Sequence, residues 1–262
     1  MKKNSSSSPD NLVTLSIVSH GNASEIEHLL DSLFLFEQAY RFQILITDNL
    51  GNDLPDNQME SSTILRNEKP KGFAANQNAA FQHARGKYFC ILNPDIVFLH
   101  SVFDQLVARI DSGQADIVAP LVVDSQGLIQ DSFRELPTPI ELIRRRLGRQ
   151  VHHVLLPEDI EAIRPDWMAG MFLLIKSETF DRLGGFEEGY YMYMEDAELC
   201  TRARLKGLSL LVDASAKVQH DAPRTSKQKL KYLFWHLQSA VRFFRSTTYR
   251  QARTLSKKSS LL

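Results

Sequence analysis

At 262 residues, 43% apolar and 24% charged, the chain can bury a sizeable core and has an ordinary globular balance. No stretch reaches the roughly 18 apolar residues of a membrane span, so any membrane contact is peripheral. The formal net charge of zero hides an asymmetry, because residues 224–262 hold ten Lys or Arg and no Asp or Glu, leaving 21 basic against 31 acidic residues upstream.

Residues 1–10, basic and then Ser-rich, read as a disordered leader rather than a signal peptide, since no long apolar run follows. Leu12–Val18 is a β-branched strand that runs into the polar loop Ser19-His20-Gly21-Asn22, and Ile26, Leu29, Leu30 and Leu33 then recur at helical spacing. A second strand, Phe42–Thr47, ends at Asp48-Asn49, and Thr63–Arg66 is a third. Gly72–Arg85 is an Ala-rich helix stopped by Gly86. The next strand, Tyr88 onward, ends at Asp95, with Pro94 removing a ladder donor. Val102–Ile110 reads as a helix and Asp116–Ala119 as a strand. Strands separated by helices of this length predict βαβ crossovers and a mostly parallel, Rossmann-like α/β sheet in the first ~120 residues.

Beyond Pro120 the alternation loosens. Val122-Val123-Asp124 and Leu128-Ile129 flank a hairpin-like turn, and Ile140–Arg164 carries no assignable pattern. Trp167–Ile175 reads as one long apolar strand, Ser177 opens a short helix ending at Gly184-Gly185, and Glu195–Lys206 forms a helix. Leu208–Val212 and Lys217–Gln219 read as two short strands. Cys90 and Cys200 lack metal or CxxC spacing and read as reduced packing residues, which fits a cytoplasmic protein.

Carboxylates at strand ends stand out, because open α/β sheets bind ligands there. Asp95 is placed to hold a metal, although Asn93-Pro94-Asp95 is also good turn chemistry. Asp48 suits a ribose hydroxyl or base edge, or simply a turn. Glu195-Asp196 follows the cluster Tyr190–Met194; acidic residues favour a helix start for dipole reasons, while burial against rings would suit one to general-base work. Gly72 with Asn76 and Asn78 marks a helix start able to meet a diphosphate, without a GxGxxG or P-loop pattern. His220 is a candidate metal ligand.

In this order the motifs Ser16–His20, Thr47-Asp48-Asn49, Gly72–Asn78, Leu92–Asp95, Trp167–Gly170, Gly185-Phe186 and Tyr193–Arg202 resemble the inverting glycosyltransferases of family 2. The likeness is to the bacterial rhamnosyltransferase-like branch, and it runs from about Leu15 to about Arg245. It implies a GT-A fold at residues 11–222, with a donor half at about 11–120 and an acceptor half at about 121–222, followed by a tail at 223–262. The resemblance also implies a donor-binding set of Ser19, Asp48, Gly72, Asn76, Asn78 and Asn93. Asn93-Pro94-Asp95 stands for the family's Asp-x-Asp element, with Asn93 replacing the first acid, and Asp95 and His220 would hold Mg²⁺ or Mn²⁺. Asp196, with Glu195 beside it, becomes the catalytic base, and Trp167, Gly170 and Tyr193 fall on the acceptor side. The implied donor is a nucleotide sugar, dTDP-L-rhamnose by branch, and the acceptor a polyprenyl-diphosphate-linked saccharide.

From Ser226, the residues Leu230, Leu233, Phe234, Leu237, Val241 and Phe244 make an apolar stripe with Lys227, Lys231, Arg242 and Arg245 on one flank. That stripe either packs on the domain or meets an anionic membrane surface, which would place the protein on the inner face of the plasma membrane. Nucleic acid is a poor partner for so acidic a body. An inactive nucleotide- or saccharide-binding scaffold, suggested by Asn93, and a dinucleotide oxidoreductase are the competing functions.

Overall fold

In the computed structural model, residues 12–52, 54, 62–146, 157, 160–221 and 230–259 are described. The expected leader and the first residues of the tail, Ser226 and Lys227 included, lie outside them. The first half alternates as expected: β1 (Leu12–Ser19), α1 (Ala23–Phe36), β2 (Arg41–Asp48), β3 (Ser62–Arg66), α2 (Phe73–Phe81) and β4 (Tyr88–Leu92). There follow β5 (Ile96–Phe98), α3 (Phe103–Asp111), β6 (Ile117–Val123), β7 (Phe133–Arg134), α4 (Pro139–Arg146), β8 (Ala162–Ile163), β9 (Trp167–Met168) and β10 (Phe172–Lys176). The chain continues through α5 (Ser177–Leu183), α6 (Glu195–Leu205), β11 (Leu210–His220), α7 (Leu230–Arg245) and α8 (Thr247–Ser259).

The main sheet runs β3-β2-β1-β4-β10-β6-β11-β5, with β8 on β11. Strands β3, β2, β1 and β4 are parallel neighbours, as are β6 and β11. Antiparallel β10 joins the two groups, pairing with β4 and β6. Both faces are covered, which is why the central strands are apolar without alternation. Val13, Leu15, Ile17 and Cys90 point to one core with the apolar faces of α1 and α3, whereas Phe89, Ile91, Leu173 and Ile175 point to another under α2, α5 and α6. Cys90 and Cys200 are buried free thiols, and burial raises both, Cys200 to about 12, which leaves them inert.

Three elements differ from the sequence reading. The Trp167–Ile175 run is broken into β9 and β10, because the Ala169 and Gly170 amides leave the ladder for Ser132 O and the Asp196 carboxylate. Asp95 lies in a turn between β4 and β5 rather than in the strand. The two short strands expected at 208–219 are one, β11, with a register shift between Asp213 and Lys217. Ser246 separates α7 from α8, its hydroxyl accepting the Tyr249 amide at 3.0 Å as an N-cap. Of the expected stripe on α7, Leu233, Phe234, Leu237 and Val241 face outward, 36%, 64%, 60% and 46% exposed, whereas Phe244 packs against Phe243 and Tyr249. What packs on the body is a different face, through Ala240 and Phe243.

Candidate active site

Parallel pairing aligns the strand ends: Ser19 stands opposite Asp48, and Asp48 opposite Arg66. Ser19 is buried, and its hydroxyl accepts the Asn22 amide at 3.2 Å. Asp48 is fully buried and turned onto its own loop. It accepts the amides of Leu50 at 3.2 Å, Gly51 at 2.8 Å and Leu54 at 3.4 Å, and pairs with Arg66 at 2.6 Å. Its neighbour Asn49 was not singled out, yet its Oδ1 accepts from Lys71 N at 2.8 Å and Asn67 Nδ2 at 2.7 Å. Asn67 also donates to Asn76 Oδ1 at 2.7 Å. These amides tie β2, β3 and the start of α2 into one rim.

Gly72, just before α2, meets the 190–194 segment. The Phe73 amide donates to Tyr191 O at 3.0 Å, and a Cβ at Gly72 would fall 2.5 Å from that same oxygen. One of the amides expected to meet a diphosphate is therefore engaged. Asn78 reaches the opposite way, donating to Phe186 O and Glu188 Oε1, each at 2.9 Å, and accepting from Phe186 N at 2.8 Å. Asn76 and Asn78 thus frame the rim through their side-chain bonds.

The turn after β4 brings Asp95 to the end of β11, since β5 pairs with β11 and His220 stands opposite Ile96. Asp95 Oδ1 lies 3.2 Å from His220 Nε2. Among the described residues Asp95 Oδ1 makes no hydrogen bond beyond that contact, and His220 Nδ1, the ring nitrogen turned away from it, is buried with none; a carboxylate oxygen and an imidazole are groups that suit a divalent cation. No group of three or more His, Cys, Asp or Glu able to hold a metal occurs among the described residues. The remaining ligands would have to come from substrate oxygens or water.

Glu195 and Asp196 open α6 directly after Tyr193 and Met194, whose φ values are 71° and 68°. Consecutive left-handed residues without glycine cost about 1–3 kcal/mol each and tend to occur where a site needs them. Asp196 accepts the Gly170 amide at 3.0 Å and the Ala197 amide at 2.7 Å. Burial raises its carboxyl, opposed by those amides and by the nearby Trp167 indole. The Trp167 ring lies under the Arg134 guanidinium at 4.8 Å. Glu195 is buried, with Oε2 lacking a partner among the described residues. Burial and the neighbouring Asp196 push its carboxyl well up.

A two-residue turn couples the halves of the site. The Gly170 amide holds Asp196, and the next carbonyl, that of Met171, accepts the Asn93 amide at 2.9 Å. Asn93-Pro94-Asp95 and Glu195-Asp196, 100 residues apart in sequence, are therefore brought to one edge of the sheet. Sequence reasoning missed Asn49, Asn67 and the packed aromatics of α7. Tyr191 packs at a tilt against Trp235, ring centroids 4.6 Å apart, and Tyr193 meets His236 at 5.2 Å. An aromatic group at 232–236 matching the one at 190–194 was the available signal.

Two solved structures share this architecture. One is described as GalNAc-T7 with UDP, GalNAc and Mn²⁺, with TM-score 0.61 and 18% identity over 84% of this chain and 52% of that one. The other is Staphylococcus aureus TarS 1-349 in complex with UDP, with TM-score 0.57 and 15% identity over 90% of this chain and 66% of that one. This chain thus spans about half the GalNAc-T7 chain. The fold is GT-A. The family model described as glycosyl transferase family 2 matches residues 14–160, and the chain belongs to that family. It is 28% identical over 247 residues to Rhamnosyltransferase WbbL of Escherichia coli (strain K12), covering 88% of this chain and 92% of the relative. It is also 31% identical over 170 residues, 58% of this chain and 53% of the relative, to N-acetylglucosaminyl-diphospho-decaprenol L-rhamnosyltransferase of Mycobacterium tuberculosis (strain CDC 1551 / Oshkosh).

Proposed function

We propose that the enzyme moves L-rhamnose from dTDP-L-rhamnose, with inversion, onto a saccharide carried on a polyprenyl diphosphate during bacterial cell-surface polysaccharide synthesis. The named activities of the two relatives support the sugar and the lipid-diphosphate acceptor. The observation that carries the chemistry is the Gly170-Met171 turn, which bonds to Asp196 on one side and to the Asn93–Asp95 turn on the other.

Asp95 and His220 would hold the divalent cation, Mg²⁺ or Mn²⁺, which neutralises charge on a departing nucleoside diphosphate. Asn93 in place of an acid lowers the charge of that site and weakens its hold on the ion. Asp196 takes the proton from the acceptor hydroxyl as that oxygen bonds to the anomeric carbon and the bond to the diphosphate breaks on the opposite face. Its raised carboxyl makes it a better proton acceptor than an exposed aspartate. The two backbone amides fix its orientation, and burial favours the neutral form of Glu195 beside it. Trp167 and Tyr193 wall the acceptor side. The outward stripe of α7 with its basic flank rests on the inner face of the plasma membrane; no helix among the described residues is long and apolar enough to cross one. A non-catalytic scaffold is the weaker reading, because the family match and the named activities of the relatives are those of transferases.

Asp196→Asn is expected to cut transfer by about 10²–10⁴-fold while donor affinity, measured by calorimetry with Mn²⁺, stays within about twofold. Retained turnover in that variant refutes Asp196 as base. Asp95→Ala should instead remove the Mn²⁺ dependence of donor binding.

A further inference from the structure

The rings of α7 do more than fasten the helix to the body. Trp235 packs at a tilt of 40° against Tyr191, centroids 4.6 Å apart, and edge-to-face with Tyr232 at 5.5 Å, and the Lys231 ammonium sits 4.6 Å from the Trp235 ring centroid. Tyr191 and Lys231 are exposed, and Trp235 is half-buried, so the cluster presents aromatic surface and a cation together. It is also fixed at the reacting end of the molecule. Tyr191 O receives the Phe73 amide beside Gly72, Ser239 Oγ donates to Met192 O at 2.8 Å, and the segment leads within a few residues into Glu195-Asp196.

The order of side chains around α7 supplies the second half of the argument. At about 3.6 residues per turn, its circumference passes from the outward Leu237 and Phe234 to Lys231 and Arg242, and then to Trp235, which turns in toward the 190–194 segment. Apolar, cationic and aromatic surfaces follow one another toward the carboxylate pair. A lipid-diphosphate saccharide has the same sequence of chemistries: a hydrocarbon chain, a diphosphate and a sugar ring.

We propose that α7 carries the acceptor subsite, with Trp235 and Tyr191 stacking on the sugar ring next to the diphosphate and Lys231 binding the diphosphate itself. This rests on the reading of the chain as a transferase acting on a lipid-linked saccharide. Sugar rings offer apolar faces to aromatic side chains, and the ammonium gives charge-assisted bonds to phosphate oxygens.

The test measures binding of farnesyl-diphosphate-N-acetylglucosamine to the full chain by calorimetry, beside the analogue that lacks the diphosphate. Trp235→Ala is expected to weaken the Kd for both at least about tenfold, and Trp235→Phe to restore it to within about threefold. Lys231→Gln should weaken the diphosphate probe about fivefold and leave the analogue unchanged. The affinity for dTDP-L-rhamnose should not move in any of them. Native-like probe binding in Trp235→Ala overturns the subsite, as does equal loss of donor and probe. If Trp235→Ala lowers Tm, the Lys231→Gln comparison decides, and failure to separate the two probes overturns the proposal. Probe binding with these differences, but no sugar transferred, keeps the subsite and refutes the transferase reading; transfer with native-like binding in both variants refutes the subsite alone.

Discussion

Two backbone amides normally hold a carboxylate in its ionised form, yet Asp196, bonded to Gly170 and Ala197, still has its carboxyl raised because burial outweighs them. Glu195 is likewise raised, by burial and by the neighbouring Asp196, against the pull of a backbone hydrogen bond. The sign for stability follows. A carboxyl with a folded-state value above its unfolded one binds more protons in the native protein, so stability falls as pH climbs from near the ordinary glutamate value through the raised one. Glu195→Gln is expected to remove that loss: urea melts should show the variant more stable than the parent at pH 7.5, with the gap closing at pH 4. An equal gap at both values would mean that Glu195 is not held neutral. These two adjacent acids were legible as a pair in the sequence, but the amide that holds Asp196 comes from Gly170, a residue 26 positions away.

The site depends on the close approach of α2 to the 190–194 segment. Gly72 permits it, since a Cβ there would meet the Tyr191 backbone, atoms that cannot rotate aside. Gly72→Ala is expected to destabilise by about 1–3 kcal/mol and to lower kcat as well, measured by urea melts alongside transfer assays; an unaffected variant would show that the two backbones can separate freely. The strands and helices of the first half were readable because each is local, an apolar run or a periodic face between polar loops. The β9–β10 break was not, because its cause is tertiary: the Gly170 and Ala169 amides bond to Asp196 and Ser132, and nothing within Trp167–Ile175 announces a turn. Asp48 illustrates the same limit. Its strand-end position was correct, but that its oxygens turn to Arg66 and its own loop could be seen only once Arg66 was placed opposite.

Across the whole molecule, charge and apolar surface are segregated. The body is net acidic, the last 39 residues carry ten Lys or Arg and no acid, and the stripe Leu233, Phe234, Leu237, Val241 is exposed beside them. The triple variant Phe234→Ser, Leu237→Ser, Val241→Ser is expected to lose co-sedimentation with phosphatidylglycerol vesicles, while the parent should bind them and be released by high salt. Unchanged sedimentation of the variant would assign vesicle binding to another surface. The composition foretold an amphipathic tail but not its inner face, because Tyr232, Trp235 and His236 resemble ordinary helix filling until Tyr191 and Tyr193 are set against them. That inner face braces residues held at unfavourable backbone angles just ahead of Glu195 and Asp196. Grip and support thus fall to one helix: the segment that would hold the lipid is also a buttress of the candidate site, and whatever tugs on one is felt by the other.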